Sequence, residues 1–188
     1  MKKLEIVGFK RDTLGTKSAK DLRLASSVPC VLYGGGKAAT HFHVPMMLFR
    51  DLLYTEKIYE VELNIEGEIH RAIVQDSQFH PVNEMILHVD FLAIDPEKPI
   101  KVEVPIKFVG TSPGVLRGGK LVQKLRKVRL LGLADNIPDY VTVDVSGLDL
   151  GQSFKVKGVS VDNCEVLNNP SNPLATIDIP RALRGKQI

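Results

Sequence analysis

The amino-acid sequence predicts a mainly β protein made of two small domains. Val, Ile and Leu recur in short runs along all 188 residues, whereas aromatic residues make up 6% and Trp is absent, so the cores depend on side chains that suit a pleated sheet. Helical and strand patterns do not alternate regularly, as a parallel sheet with crossover helices would require. Residues 95–99 (DPEKP) interrupt two apolar runs with two prolines and three charges. We therefore predict domains at residues 1–95 and 96–188.

The strands predicted for the first domain follow from composition and alternation. Residues 3–9 (KLEIVGF) and 28–33 (VPCVLY) are typical of strands. Residues 58–65 alternate between apolar residues and Glu or Asn, and Glu66-Gly67 offers a turn into residues 68–76, which predicts a hairpin with a solvated acidic face. Residues 85–93 alternate as well, with a predicted core face of Met85, Leu87, Val89, Phe91 and Ala93 and an opposite face of Ile86, His88, Asp90 and Leu92.

Two short helices are predicted in the same domain. The first covers residues 17–25, with Thr16 as its N-cap. At helical spacing its inner side consists of Ser18, Ala19, Leu22 and Ala25, and its basic flank of Lys17, Lys20 and Arg23, with Leu24 on the basic side. The second follows Pro45 and covers the apolar run MMLFRDLLY.

The second domain reads as strands separated by turn residues, at 100–109, 138–145, 153–159 and 174–179. Residues 117–129 hold six Lys or Arg residues and no acidic residue, beside a Gly-Gly pair, which predicts a basic hairpin. Such a hairpin suits a phosphate backbone, or it is a charged edge strand that discourages aggregation.

Charge is distributed unevenly although the net charge is only +3. Residues 1–50 hold nine basic residues against three acidic ones, whereas residues 51–95 hold two against ten. A basic front end attracts phosphates, and the acidic stretch excludes a domain coated all round by nucleic acid. We therefore expect a local contact surface.

The expected location is the cytoplasm. The chain begins with an apolar stretch too short for a signal peptide, and no run approaches the roughly 20 apolar residues of a membrane span. Cys30 and Cys164 are far apart and are expected to be reduced thiols.

The glycines at 34–36, after Tyr33, permit positive φ and a close approach to a large ligand, or they form a flexible turn. Phosphate-loop and dinucleotide motifs are absent, so no cofactor and no small-molecule substrate are expected. His88 and Asp90 share a face and serve either in orienting an imidazole or as a surface pair. No nucleophile motif accompanies them, and His41 and His43 lack a third metal ligand, so we predict neither an enzyme nor a metal site.

Several motifs follow one another in a set order. In the first domain these are Arg11 followed by KSAKDLR, VPCVLYGGGK, VQDSQFHPV (74–82) and LHVDF (87–91), and in the second domain VGTSPGVLRGGKL (109–121). In this order they resemble the bacterial large-subunit ribosomal protein family that binds 5S ribosomal RNA, in its long two-domain, general-stress form. The resemblance implies that the first domain is a small β-barrel that docks on the minor groove of an irregular RNA helix, within the central protuberance of the large subunit.

The resemblance also implies the contact residues. Phosphates or base edges would be contacted by Arg11, Lys17, Lys20 and Arg23, the sugar–phosphate backbone by Tyr33, Gly34 and Gly35, and hydrogen bonds would come from Gln75, His88 and Asp90. The chain departs from the family at Thr16, where a lysine is usual, and at Asp21, where a second basic residue is usual. The expected partners are 5S ribosomal RNA and neighbouring large-subunit components; the alternative is a stress-related module that binds RNA or protein off the ribosome.

Overall fold

The computed structural model describes residues 1–180, with the backbone alone at Lys37. The chain divides into two compact units, the first spanning Met1–Ile100 and the second beginning at Lys101. The domain boundary after Asp95 stays a prediction, and residues 181–188 of the predicted second domain lie outside the described residues.

The first unit is a closed six-stranded barrel. Its strands, with the helices between them, are β1 (Lys2–Lys10), α1 (Thr16–Leu24), β2 (Ser27–Gly34), β3 (Lys37–Pro45), a 3-10 turn (Met46–Phe49) leading into α2 (Arg50–Leu53), β4 (Tyr59–Ile65), β5 (Glu68–Phe79) and β6 (Ile86–Ala93). The order around the barrel is β1-β3-β2-β6-β5-β4, and the parallel pairing of β1 with β4 closes it. The predicted mainly β fold, with a small barrel and two short helices, is confirmed.

Aromatic and aliphatic side chains fill the barrel. Phe42, Phe49 and Phe91 are fully buried, and the ring of Phe91 lies 5.8 Å from that of Phe42 and 6.4 Å from that of Phe49. The predicted solvated face of the first hairpin is wrong at one position. Glu60 is only 5% exposed and forms an ion pair with Arg71, because a carboxylate can leave water only with a cationic partner.

Helix α1 forms where predicted but begins differently. Gly15, not Thr16, occupies the N-cap position, with φ of 125°, and Thr16 is the first helical residue. A positive φ is readily adopted only by glycine, so the chain enters the helix at a conformation that Thr16 would resist.

The second unit consists of two open sheets. Its elements are β7 (Ile100–Val109), α3 (Pro113–Leu116), β8 (Lys120–Gln123), β9 (Lys127–Gly132), β10 (Val141–Asp144), β11 (Ser153–Lys155), β12 (Cys164–Val166) and β13 (Pro173–Asp178), with 3-10 turns at Ala134–Asn136 and Val156–Gly158. One sheet has the order β10-β7-β9-β12 and the other β11-β13-β8.

The predicted basic hairpin at residues 117–129 is wrong. β8 pairs with β13 and β9 pairs with β12, so the two basic strands belong to different sheets. The backbone N–H groups of Lys124 and Leu125 both donate to the carbonyl of Leu174, which draws the intervening segment onto β13 rather than into a hairpin turn. The predicted strand at 153–159 ends at Lys155, where a 3-10 turn begins.

Candidate nucleic-acid interface

Two β-bulges frame the segment that carries His88 and Asp90. In the antiparallel pairing of β5 with β6, Val74 lies opposite Phe91 and Asp76 opposite Asp90, so Gln75 is an extra residue on β5. Farther along, Gln78 lies opposite His88 and Phe79 opposite Ile86, so Leu87 is an extra residue on β6. Bulges bend a strand and re-aim its side chains, and they occur often beside functional sites.

The second bulge changes which side chains of β6 reach the core. Val89 and Phe91 are buried as predicted, but Ile86, predicted on the opposite face, is also buried and belongs to the barrel core. Leu87, predicted in the core, is only half-buried. One inserted residue shifts the alternation by one position, so the pattern holds after the bulge and fails before it.

His88 and Asp90 form a hydrogen-bonded pair on the outer face of β6. The Nδ1 atom of His88 lies 2.6 Å from Oδ1 of Asp90, and the two side chains are 27% and 30% exposed. With Nδ1 bound to the carboxylate, the ring is held in one orientation and Nε2 is its remaining polar atom. The pair therefore presents a fixed imidazole edge and a second carboxylate oxygen at a half-exposed surface.

Asp76 adds a second carboxylate beside this pair. It is exposed and lies directly opposite Asp90 on the neighbouring strand. Burial raises the pKa of the Tyr33 phenol, and the charges of Asp90 and Asp76 raise it further, so Tyr33 stays protonated close to both carboxylates. Sequence reasoning missed Asp76 because the side of the sheet on which it lies depends on the bulge at Gln75, and a single sequence does not reveal that bulge.

The glycine turn after Tyr33 exposes its backbone. Gly34, Gly35 and Gly36 have φ values of 102°, 62° and 73°, as the three successive glycines predicted. A Cβ atom built on Gly36 would meet no atom within 4 Å, whereas one on Gly34 would lie 2.9 Å from Cδ1 of Leu92. A pocket of about 380 Å³ lies beside this turn and is lined partly by Tyr33, Gly34 and Gly35. A large ligand can therefore approach the main chain here closely.

Helix α1 separates its cations onto two sides. Lys17 and Lys20 are exposed, and Leu24, 76% exposed, lies on the same side, as predicted. Arg23 was predicted on this flank, but it is half-buried, and its Nε donates to the carbonyl of Leu87 at 3.0 Å. This carbonyl belongs to the extra residue of β6, so the guanidinium connects the end of the helix to that strand.

Arg11 is also drawn toward the protein. One of its terminal nitrogens donates to the carbonyl of Thr13 and to the hydroxyl of Ser18, each at 3.4 Å. Its Nε is buried without a hydrogen-bond partner among residues 1–180. Arg11 thus connects the end of β1 to the start of α1 and keeps one donor unsatisfied, which costs free energy until a partner arrives.

His43 lies near this guanidinium. Its ring stacks on that of Phe9, with centroids 5.5 Å apart. Burial lowers the pKa of His43, and the charge of Arg11 lowers it further, so the neutral ring is favoured. His41 and His43 are not accompanied by a third ligand, since no group of three or more His, Cys, Asp or Glu in the described part of the chain is arranged to hold a metal.

The predicted contact residues thus form two neighbouring groups. Tyr33, Gln75, His88 and Asp90 come from the adjacent strands β2, β6 and β5, and Lys17 and Lys20 lie on the helix that Arg23 ties to β6. Their contacts with RNA stay predictions.

Within residues 1–180 no helix is long and apolar enough to cross a membrane.

Two family models match this chain. One, described as the ribosomal L25p family, matches residues 6–91, and the other, described as ribosomal protein TL5, C-terminal domain, matches residues 99–181. A protein of Cytophaga hutchinsonii named large ribosomal subunit protein bL25 is 50% identical over 187 residues, which cover 100% of this chain and 97% of that protein. Proteins of the same name are 47% identical in Amoebophilus asiaticus, covering 98% of this chain and 93% of the relative, and 45% identical in Phocaeicola vulgatus, covering 98% and 96%.

Proposed function

Because this chain belongs to the bL25 family of large-subunit ribosomal proteins, we propose that it binds 5S ribosomal RNA through the outer face of its barrel. The family is structural and not enzymatic, and its members are constituents of the ribosome. We further propose that residues 1–95 form the RNA-binding domain, that the chain lies in the central protuberance, and that it is cytoplasmic as part of the ribosome.

The bonded pair of His88 and Asp90 carries this proposal. Carboxylates repel phosphates but accept hydrogen bonds from base amino groups and from 2′-hydroxyls, both of which the shallow minor groove of an RNA helix displays. Asp76 beside Asp90 gives the face a second such acceptor. This chemistry fits hydrogen bonding to bases and riboses within a minor groove. It does not fit neutralisation of phosphates by the same residues.

The flanks of the same face supply the complementary chemistry. Lys17 and Lys20 are exposed on α1 and would neutralise phosphates beside the groove. The open main chain at Gly35 and Gly36 would lie against a ribose–phosphate segment on the other flank. Asp21 on the exposed side of the helix weakens the field of the two lysines, so the departures at Thr16 and Asp21 reduce the phosphate contribution.

Filter binding of the full chain to 5S ribosomal RNA at fixed salt tests the proposal. His88→Ala and Asp90→Ala are each expected to weaken binding by more than about 1 kcal/mol, which is about fivefold, because each leaves a partner unsatisfied at the interface. Glu62→Gln is the control, since Glu62 on β4 pairs with Lys3 on β1, the strand opposite β6 in the barrel order. Unchanged affinity in both test variants would exclude this face.

Footprinting and fractionation separate the remaining alternatives. Protection of 2′-hydroxyls in one irregular helix of 5S ribosomal RNA is expected on binding. In sucrose gradients the protein should sediment with large subunits, whereas a stress-related module that acts off the ribosome would stay near the top.

A further inference from the structure

We propose that the second unit carries its own RNA-binding surface, a row of four cations that binds the phosphate backbone of ribosomal RNA. The members of this cation row are Lys107, Lys124, Arg126 and Lys127. The proposal rests on membership of the large-subunit family and not on the recognition of 5S ribosomal RNA by the first unit.

An excess of positive charge runs through this part of the chain. From Val104 to Ala134 there are seven Lys or Arg residues and no Asp or Glu. Three of the seven have an acidic neighbour supplied by another segment. Arg117 pairs with Asp149 at 2.6 Å, Arg129 pairs with Glu103 at 2.9 Å, and Lys120 lies across from Asp178 on β13. The remaining four are the cation row.

The fold gathers these four residues. The segment between β8 and β9 crosses from one sheet to the other and carries Lys124 and Arg126, and Lys127 opens β9. The carbonyl of Arg126 accepts from the N–H of Ile106 at 3.0 Å, so Lys107, the next residue on β7, lies beside the crossing. All four side chains are exposed.

Backbone bonds hold the segment that carries Lys124 and Arg126. The N–H groups of Lys124 and Leu125 donate to the carbonyl of Leu174 at 2.8 and 3.2 Å. Lys107 is restrained in addition by the ring of Tyr140, whose centroid lies 5.0 Å from Nζ. A main chain held in this way loses little backbone entropy when the segment meets a partner.

Protection of an edge strand does not explain this charge. β8 is an edge of its sheet, and Lys120 on it suits that purpose. β9 lies between β7 and β12, however, and the crossing segment belongs to no edge. A ribosomal subunit is built mainly around a polyanion, and lysines spaced along a strand and a crossing are typical of phosphate contacts.

Salt-dependent filter binding tests the cation row. Every variant of the full chain also carries His88→Ala and Asp90→Ala, which weaken RNA binding by the first unit. The probe is a regular RNA duplex without the 5S structure. Lys124→Gln, Arg126→Gln and Lys127→Gln together should lower the slope of log affinity against log salt by about two, and the affinity at about 150 mM salt about tenfold or more. The control, Lys2→Gln, Lys57→Gln and Lys157→Gln, removes the same charge from exposed sites elsewhere and should have much less effect. Equal slopes for the two triple variants would overturn the proposal.

Ultraviolet cross-linking of intact large subunits gives an independent readout. Mass spectrometry should find nucleotide adducts on a peptide that spans residues 122–131. Cross-links from this segment to protein alone would show a protein surface as its partner and would also overturn the proposal. Neither result depends on His88 or Asp90, so this failure is distinguishable from failure of 5S recognition.

Discussion

The two units place the same kinds of residue in different surroundings. Each has one cysteine, and each has an Arg–Glu ion pair joined through the Nε of the arginine. In the closed barrel Cys30 and the carboxylate of Glu60 are buried, whereas in the open sheets of the second unit Cys164 is half-buried and both members of the Arg129–Glu103 pair are exposed. Closing a sheet removes its edges and encloses its inner face. The comparison therefore separates the effect of the fold from the effect of residue type.

The cations of the two units differ in the same way. Arg11 and Arg23 in the first unit donate to groups of the protein and hold α1 against the barrel. In the second unit the cation row keeps its charges exposed beside a crossing segment. In the first unit these arginines thus hold α1 beside the proposed RNA-binding face, whereas in the second unit the cations of the row are exposed to a partner. Specific recognition is expected of the first, and salt-sensitive attachment of the second.

The largest expected difference is in thiol reactivity. Cys30 is fully buried in the barrel, where desolvation and then the charge of Asp90 raise its thiol pKa, whereas Cys164 is half-buried on a short strand at a sheet edge. A reagent reaches Cys30 only through an opening that costs about 5 kcal/mol, so its labelling should be roughly several thousandfold slower. Mass spectrometry after timed labelling measures both rates, and equal rates would show that the barrel opens freely.

The second largest difference is expected in how much each of the two Arg–Glu pairs contributes to the free energy of unfolding. Arg71→Met leaves the carboxylate of Glu60 buried without its cation, and because Arg71 is 38% exposed the expected loss of stability is about 2–3 kcal/mol. Arg129→Met removes the same contact from a pair that is 67% and 51% exposed, for which less than about 1 kcal/mol is expected. Urea denaturation followed by circular dichroism compares the two variants. A similar loss in both would mean that burial of Glu60 has no energetic consequence.

Arg23, which donates a hydrogen bond to β6, and Lys20, which is exposed, should contribute differently to the salt dependence of RNA binding. Arg23→Met removes the bond to the carbonyl of Leu87 and is expected to weaken binding to 5S ribosomal RNA by about 1 kcal/mol without changing the salt slope. Lys20→Met is expected to weaken binding less at moderate salt but to reduce the slope by about 0.7–0.9. Filter binding over a salt series distinguishes them, and a reduced slope for Arg23→Met would make it a phosphate contact.

The sequence predicted most strands of the barrel because alternation depends on local residues. It failed where a distant partner decides the outcome. Ile86 is buried because β5 and β6 pair with a bulge, and Arg23 is half-buried because it donates to the carbonyl of Leu87, which is distant in sequence. Residues 117–129 have strand composition, but pairing with β12 and β13 sends their two strands to different sheets. The closed barrel and the set of contact residues came from the resemblance to a family, since periodicity alone gives neither closure nor a shared face.

The smallest expected effect is a pH dependence that originates at His43. Burial and the neighbouring Arg11 lower its pKa in the folded protein, so between the folded and the unfolded pKa the unfolded chain binds more protons. Its contribution to stability is therefore complete above the unfolded pKa, near 6.5, and falls as the pH drops below that value. Thermal melting at pH 7.5 and pH 5.5 should show that His43→Gln loses less stability on acidification than the parent chain. His41→Gln is the matched control, because His41 lies two residues away on the same strand and is exposed. If His43→Gln and the parent chain lose equal stability in acid, then burial and Arg11 do not disfavour the charged ring of His43. Water would then reach the region beside α1, where the Nε of Arg11 is buried without a hydrogen-bond partner among residues 1–180.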